Sequence, residues 1–188
     1  MRRALSIAID RKAIVDRVME GAAIPAGQFL PEGVYTHVPD VTPPAFDPDA
    51  ARRLLAEAGY PQGFRIQLNG PNDRYVNDAR IIQAVGQMWT RIGVRTTVEA
   101  QPWTTFIGRA GRADFSAHLI GWGSNPDGSH PLRNILATVT REKGWGSSNR
   151  GRYSNPQVDA LLDQSLVELD EAKRVQLVIQ AQRLAAED

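Results

Sequence analysis

Cysteine is absent from the 188 residues, which excludes disulfides, thiolate metal sites and a cysteine nucleophile at once. No stretch approaches the roughly 18 consecutive apolar residues of a membrane span. No charged n-region followed by an apolar h-region opens the chain, so this form shows no export signal. Charge of one sign is not in excess either. The formal net charge is +1, and basic residues are interleaved with acidic ones. Electrostatics therefore nominates neither nucleic acid nor an anionic membrane as a partner. There is no phosphate-binding G-x-x-x-x-G-K-[ST] loop, no G-x-G-x-x-G after a strand, no G-x-S-x-G elbow and no H-x-x-x-H metal spacing. Internal repeats and low-complexity segments are also missing. What remains is an ordinary globular composition, 42% hydrophobic and 23% charged, long enough to bury a core.

The pattern begins with helix. Ala4, Leu5, Ala8 and Ile9, then Ile14, Val15 and Val18, recur at helical spacing over residues 2–20, with Asp10 placed to cap a second helix from Arg11. Residues 21–46 read as loop. Asp47-Pro48 restarts order as N-cap and first helical residue, Ala51, Leu54, Leu55 and Ala58 form a stripe, and Gly59 closes the helix. The alternation Phe64-Arg65-Ile66-Gln67-Leu68 signals a half-buried strand, followed by a polar loop over 69–77. A helix with Ile81, Val85, Met88, Trp89 and Ile92 on one side follows, then a strand over 94–99, a short helix over 102–112 and a strand candidate over 116–122. Residues 123–154 read as a long irregular stretch. Asn155-Pro156 caps a helix with Val158, Leu161, Leu162, Ser165, Leu166 and Leu169 in register, and a last helix runs from about Glu171. Strand, helix and strand in succession predict the α/β class. Both ends fall abruptly inside helical patterns, so the chain is expected to be a piece of a longer one.

Chemistry-bearing residues are sparse. His37, His118 and His130 lie far apart, and His118, inside a strand pattern, reads as a packed residue. Asp159 and Asp163, four apart on one helix, read as a solvated face. Nothing resembles an acid–base couple in an apolar pocket, so catalytic residues, metal ligands and cofactors are all expected to be none. Two places stand out because ligands of open α/β sheets bind beyond strand ends. Arg74, in the loop Gly70-Pro71-Asn72-Asp73-Arg74-Tyr75, carries the guanidinium best suited to a carboxylate; a solvated arginine, or one paired with Asp73 or Asp78, is the alternative. Trp122 follows another strand end and opens a Gly-Ser-Asn-Pro-Asp-Gly loop; packing within the fold is its alternative. Trp89 and Trp103 read as core, whereas Trp145, among glycines and serines, has little local core to join.

The chain resembles family 5 extracellular solute-binding proteins in their C-terminal half. The resemblance rests on Arg2-Arg3-Ala4-Leu5-Ser6-Ile7-Ala8-Ile9-Asp10-Arg11-Lys12-Ala13-Ile14, Phe46-Asp47-Pro48, Leu54-Leu55-Ala56-Glu57-Ala58-Gly59-Tyr60, Ile92-Gly93-Val94, Gly121-Trp122 and Tyr153-Ser154-Asn155-Pro156-Gln157-Val158-Asp159-Ala160-Leu161-Leu162, in order across nearly the whole chain. Each segment is weak alone; the ordered set is specific. It implies a periplasmic-binding-protein-like lobe, a small mixed sheet flanked by helices. Residues 1–188 would form a single lobe of a two-lobed clamp whose N-terminal lobe and C-terminal return lie elsewhere.

The resemblance also implies a function. The expected protein is the exported, periplasmic solute-binding component of an ABC importer, not an enzyme, delivering a peptide or related carboxylate-bearing molecule to a permease and binding no nucleic acid. Arg74 matches, with a one-residue gap, the position where dipeptide-type members hold the ligand carboxylate, and Tyr75 is taken with it. Asn125 occupies the position, three past Gly-Trp, where those members keep an aspartate for the ligand ammonium; Asp127 lies two further on. Asparagine lacks that charge, so a free-amine peptide is in doubt and a modified peptide or a glutathione-like molecule gains ground. Arg74, Tyr75, Trp122, Asn125 and Asp127 form the expected ligand set. The rival readings are a small hydrolase or amidase using His130, Asp127 and Ser129, and a protein-interaction domain.

Overall fold

A computed structural model of the chain describes residues 1–123 and 128–188. They form two compact units, one of Met1–Pro25 with Pro44–Gly121 and the other of Ala26–Pro43 with Trp122–Asp188.

The first unit holds the sheet. Helices α1 (Arg2–Ile7) and α2 (Arg11–Arg17) open it, separated at Asp10, whose side chain accepts from Ala13 N at 2.9 Å. Helix α3 (Pro48–Glu57) starts as expected, with Asp47 Oδ1 accepting from Ala50 N at 2.7 Å and proline in the first turn. Gly59 takes φ +87° just past its end, the left-handed closure that glycine permits without strain. Strand β1 (Arg65–Pro71), helix α4 (Asp78–Arg91), strand β2 (Arg95–Gln101), helix α5 (Trp103–Gly111) and strand β3 (Ala117–His118) follow. The strand order is β2-β1-β3, and both pairings are parallel. This is the expected α/β class; the small sheet, expected to be mixed, is parallel in both pairings among the described residues.

One face of β1 supports the core. Ala4, Ala8, Ala51, Leu55, Leu68, Ile82, Trp89, Ile92 and Val94 are buried together. The alanines of α1 and α3 let those helices approach closely, and Trp89 Nε1 donates to Leu5 O at 3.0 Å. Helix α4 comes so near β2 that a Cβ on Gly86 would stand 2.4 Å from Val98 Cγ2.

The structure corrects several boundaries. β1 continues through Asn69 and Gly70 to Pro71 instead of yielding to a polar loop at 69, because the register with β2 extends to Pro71↔Gln101. Helix α4 puts Trp89 and, just past its end, Ile92 in the core with Val85 packed against it, as expected, but Ile82 rather than Ile81 is the isoleucine that is buried there. β3 spans two residues rather than seven; beyond it, Leu119 N still donates to Asn69 O at 2.8 Å.

The second unit is helical. Helices α6 (Ser129–Ile135), α7 (Pro156–Val167) and α8 (Glu171–Glu187) surround a core of Leu30, Leu132, Leu136, Trp145, Val158, Leu162, Val178 and Ala181. Asn155 caps α7 by accepting from Gln157 N at 2.9 Å, and Asp170 caps α8 by accepting from Lys173 N at 3.1 Å. Helix α6 was not foreseen. Pro131 reads as a breaker, yet it falls in the first turn, where a missing N–H costs nothing. Trp145 is also corrected: it is only 9% exposed and joins this core, with Lys143 Nζ 4.8 Å from its ring centroid. Leu166 and Leu169, expected in the buried stripe of α7, are 51% and 95% exposed. Leu169 lies past the helix end. Asp159 is not merely solvated, since its Oδ1 accepts from Thr138 N at 2.8 Å; Asp163 pairs with Lys143 at 2.7 Å.

Segment 26–43 is tied to α8 by side chains. Gln182 Nε2 donates to Gln28 Oε1 at 2.7 Å, and Arg183 makes two 2.7 Å bonds to Asp40. Those bonds hold the Asp40 carboxyl below its ordinary range.

Candidate functional site

At the C-terminal end of β1 the chain turns out of the sheet through Asn72, Asp73, Arg74 and Tyr75. Every step of this turn is fastened. Asn72 N donates to Gln101 O at 3.1 Å, linking it to the end of β2. Asp73 Oδ1 accepts from Trp103 N at 2.7 Å, at the start of α5. Asp78 Oδ2 accepts from the backbone N–H of both Arg74 and Tyr75 at 3.0 Å. Tyr75 Oη donates to Gly121 O at 3.3 Å. Asn77 sits at φ +55° and donates through Nδ2 to Val18 O at 2.8 Å. This loop therefore has one backbone course, set by contacts to four other segments of the unit.

The Arg74 side chain projects from that course over aromatic rings. Its guanidinium carbon lies 5.1 Å from the Trp103 ring centroid and 6.0 Å from that of Tyr75. Tyr75 and Trp103 meet edge to face at 6.0 Å, and Trp103 leans on Phe106 at 5.8 Å, which stacks on Phe115 at 5.3 Å. Arg74 is exposed, and among the described residues it forms no ion pair. Of the two proposed pairings, neither occurs through the guanidinium: Asp73 and Asp78 both bind backbone N–H groups. A charged guanidinium on an aromatic face gains a modest cation–π attraction and keeps its N–H fork open to a planar anion.

Trp103, expected in the core, is instead half-buried and forms the platform under Arg74. Its place at the first position of α5, directly after Pro102, is the sequence signal that could have found it. Trp122 is 43% exposed. It directly follows Gly121, the residue against which the Tyr75 ring packs, but it belongs to the second unit. Asn125 and Asp127 lie outside the described residues. The structure thus brings Arg74 and Tyr75 together with Trp103.

The hydrolase constellation gains no geometric support among the described residues. Ser129 and His130 are successive residues of α6, so their side chains leave the helix in different directions. Ser129 is 7% exposed, whereas His130 is exposed, with its Nε2 3.1 Å from Asn134 Nδ2. His118 packs near Phe106 and Phe115, at 6.2 and 6.1 Å between ring centroids, as a face residue would. No group of three or more His, Asp or Glu side chains among the described residues could hold a metal ion. No helix there is long and apolar enough to cross a membrane.

Comparison with known proteins decides the family. The model for bacterial extracellular solute-binding proteins, family 5 (middle), matches residues 1–143. The chain belongs to this family. Heme-binding protein A of Haemophilus influenzae is 32% identical over 191 residues, covering 97% of this chain and 33% of that protein. The dipeptide-binding protein of Escherichia coli is 28% identical over 186 residues, covering 97% and 34%. Among solved structures, the dipeptide-binding protein of a Pseudoalteromonas species in complex with Met-Leu superposes with a TM-score of 0.88 at 28% identity, covering 99% of this chain and 37% of that one. This family 5 chain therefore spans about a third of the length of the curated relatives it matches.

Gly121 offers a local check on the site. A Cβ there would fall 2.8 Å from Tyr75 Cε1. Gly121→Ala is expected to displace the Tyr75 ring until it rests in contact with the new methyl, lengthening or breaking the Tyr75 Oη bond to residue 121 O, which a change in the Tyr75 ring chemical shifts would report. Unchanged Tyr75 ring shifts in the variant would show that the backbone yields instead.

Proposed function

We propose that this chain is part of one lobe of a periplasmic solute-binding protein serving a bacterial ABC importer. The whole protein binds a peptide-like or other carboxylate-bearing small molecule by hinge closure of two lobes and passes it to a membrane permease. It performs no catalysis. The N-terminal lobe and the C-terminal return belong to the same protein outside residues 1–188. Arg74 takes the solute carboxylate, with Tyr75 beside it, and Trp122, Asn125 and Asp127 are the further ligand residues.

The observation that carries this reading is the state of Arg74. It stands beyond the C-terminal end of the central parallel strand, on a loop fixed by backbone hydrogen bonds, with its guanidinium over Trp103 and no carboxylate partner among the described residues. Strand ends of open parallel sheets are where α/β proteins receive ligands. Membership in a family of extracellular solute-binding proteins supports the same assignment.

The test is calorimetry on the full-length protein with three probes: Met-Leu, its C-terminal amide and N-acetyl-Met-Leu. Free carboxylate should be preferred over amide by roughly 30-fold or more, the worth of a charge-assisted arginine pair. With Asn125 in place of an aspartate, acetylation of the amine should matter little, and Asn125→Asp should restore a preference for the free amine. Equal affinity for Met-Leu and its amide would refute the carboxylate assignment.

A further inference from the structure

Beneath Arg74 lies a carboxylate that faces away from solvent. Asp78, the first residue of α4, is 3% exposed. Its Oδ2 accepts from Arg74 N and Tyr75 N, both at 3.0 Å, and its Oδ1 accepts from Ala79 N at 2.8 Å. It forms no ion pair among the described residues. An ionised carboxylate is costly to remove from water, and bonds from it to backbone N–H are the strong, charge-assisted kind. Here these bonds are spent on two successive amides of an exposed loop rather than on a cation.

The consequence falls on the side chain that leaves that loop. A surface arginine ordinarily samples many rotamers, and binding through it must pay for ordering. Two bonds from Asp78 fix the backbone from which Arg74 departs. The bond from Asp73 Oδ1 to Trp103 N at 2.7 Å anchors the backbone of the residue whose ring lies near Arg74. The backbones of Arg74, Tyr75 and Trp103 are thus each anchored by a nearby carboxylate.

We infer that Asp78 is a positioning residue for the anion site: it sets the aim of the Arg74 guanidinium through the Arg74 and Tyr75 amides and does not touch the solute. This rests on the reading that Arg74 holds a carboxylate. It adds that the affinity and selectivity of the site depend on a buried acid that an anionic solute never meets. An acid placed beside an anion would ordinarily weaken binding; this one strengthens it.

The experiment is a double-mutant cycle in the full-length protein. Asp78→Asn, the conservative change, and Asp78→Ala are each made with Arg74 present and in an Arg74→Ala background. Met-Leu affinity is measured by calorimetry, and amide exchange at residues 74 and 75 by NMR. The account expects Asp78→Asn to weaken Met-Leu about 10-fold when Arg74 is present and to add almost nothing once Arg74 is alanine. Exchange at both amides should accelerate, and the urea midpoint of Asp78→Asn should fall by the same modest amount in both Arg74 backgrounds, because asparagine keeps only one of the two acceptor oxygens. An equal loss in both backgrounds would overturn the inference, because Asp78 would then act independently of Arg74. Unchanged affinity beside accelerated exchange would overturn it too. If Arg74→Ala leaves Met-Leu affinity unaltered, or Met-Leu does not bind, the carboxylate reading fails separately. The Arg74 Nε–H resonance then decides: loss of its ring-current shift from Trp103 in Asp78→Asn supports positioning, and retention refutes it.

Discussion

Phe106→Ala is expected to destabilise the first unit by about 3–5 kcal/mol, the usual cost of emptying a buried aromatic site. Phe106 is fully buried, stacks on Phe115 at 5.3 Å and carries Trp103 at 5.8 Å. Such a loss is a large share of the roughly 5–15 kcal/mol that holds a typical domain folded. Urea unfolding of the full-length protein, followed by a probe within this unit, should show a clear fall in midpoint. Phe106→Leu should cost less, since leucine refills part of the volume. Solute affinity should fall with Phe106→Ala even under conditions where the variant is folded, because Trp103 loses the ring it leans on and Arg74 loses its platform. A variant with the parent's midpoint would mean that α5 is not held by this stack.

The second large effect concerns Arg74 itself. Arg74→Ala should weaken binding of the carried solute by roughly 30-fold or more, corresponding to about 2–5 kcal/mol for a lost charge pair. Arg74→Lys should recover only part of this. Lysine keeps the charge but has neither the planar fork for two parallel hydrogen bonds nor the flat face that lies on Trp103. The stability of both variants should match the parent's within about 0.5 kcal/mol, as for exposed positions generally. Calorimetry and urea unfolding on the same preparations separate the two quantities. Parental affinity in Arg74→Ala would make this arginine a solvated loop residue.

Much of the fold was written locally in the sequence. Asp10, Asp47-Pro48 and Asn155-Pro156 announce helix starts through cap chemistry, and each cap is made as expected. The α/β class follows from strand, helix and strand in succession. What was not legible depends on partners distant in the chain. β1 runs on through Asn69 because β2 extends to meet it. Ile82 rather than Ile81 joins the core, on a helix that Gly86 lets close onto Val98 of β2. Trp145 looked stranded among glycines and serines, yet it reaches a core supplied by α6, α7 and α8.

The site divides the same way. Arg74 stands out in the sequence because it follows a strand end, and the family resemblance makes it a ligand residue. That Trp103 would be its platform, or that Asp73 and Asp78 would bind amides rather than the guanidinium, depends on α5 and α4 arriving at the same corner. Nothing in the spacing of those residues along the chain specifies it. The rival hydrolase used residues adjacent in sequence, and that adjacency places Ser129 and His130 on different sides of α6.

Native mass spectrometry of the full-length protein, purified gently and then denatured to release what it carries, addresses the central claim most directly. The account predicts a small molecule bearing a carboxylate, present in the parent protein, strongly depleted in Arg74→Ala and released chemically unchanged. The same molecule at unchanged occupancy in Arg74→Ala, or a molecule without a carboxylate, would contradict it.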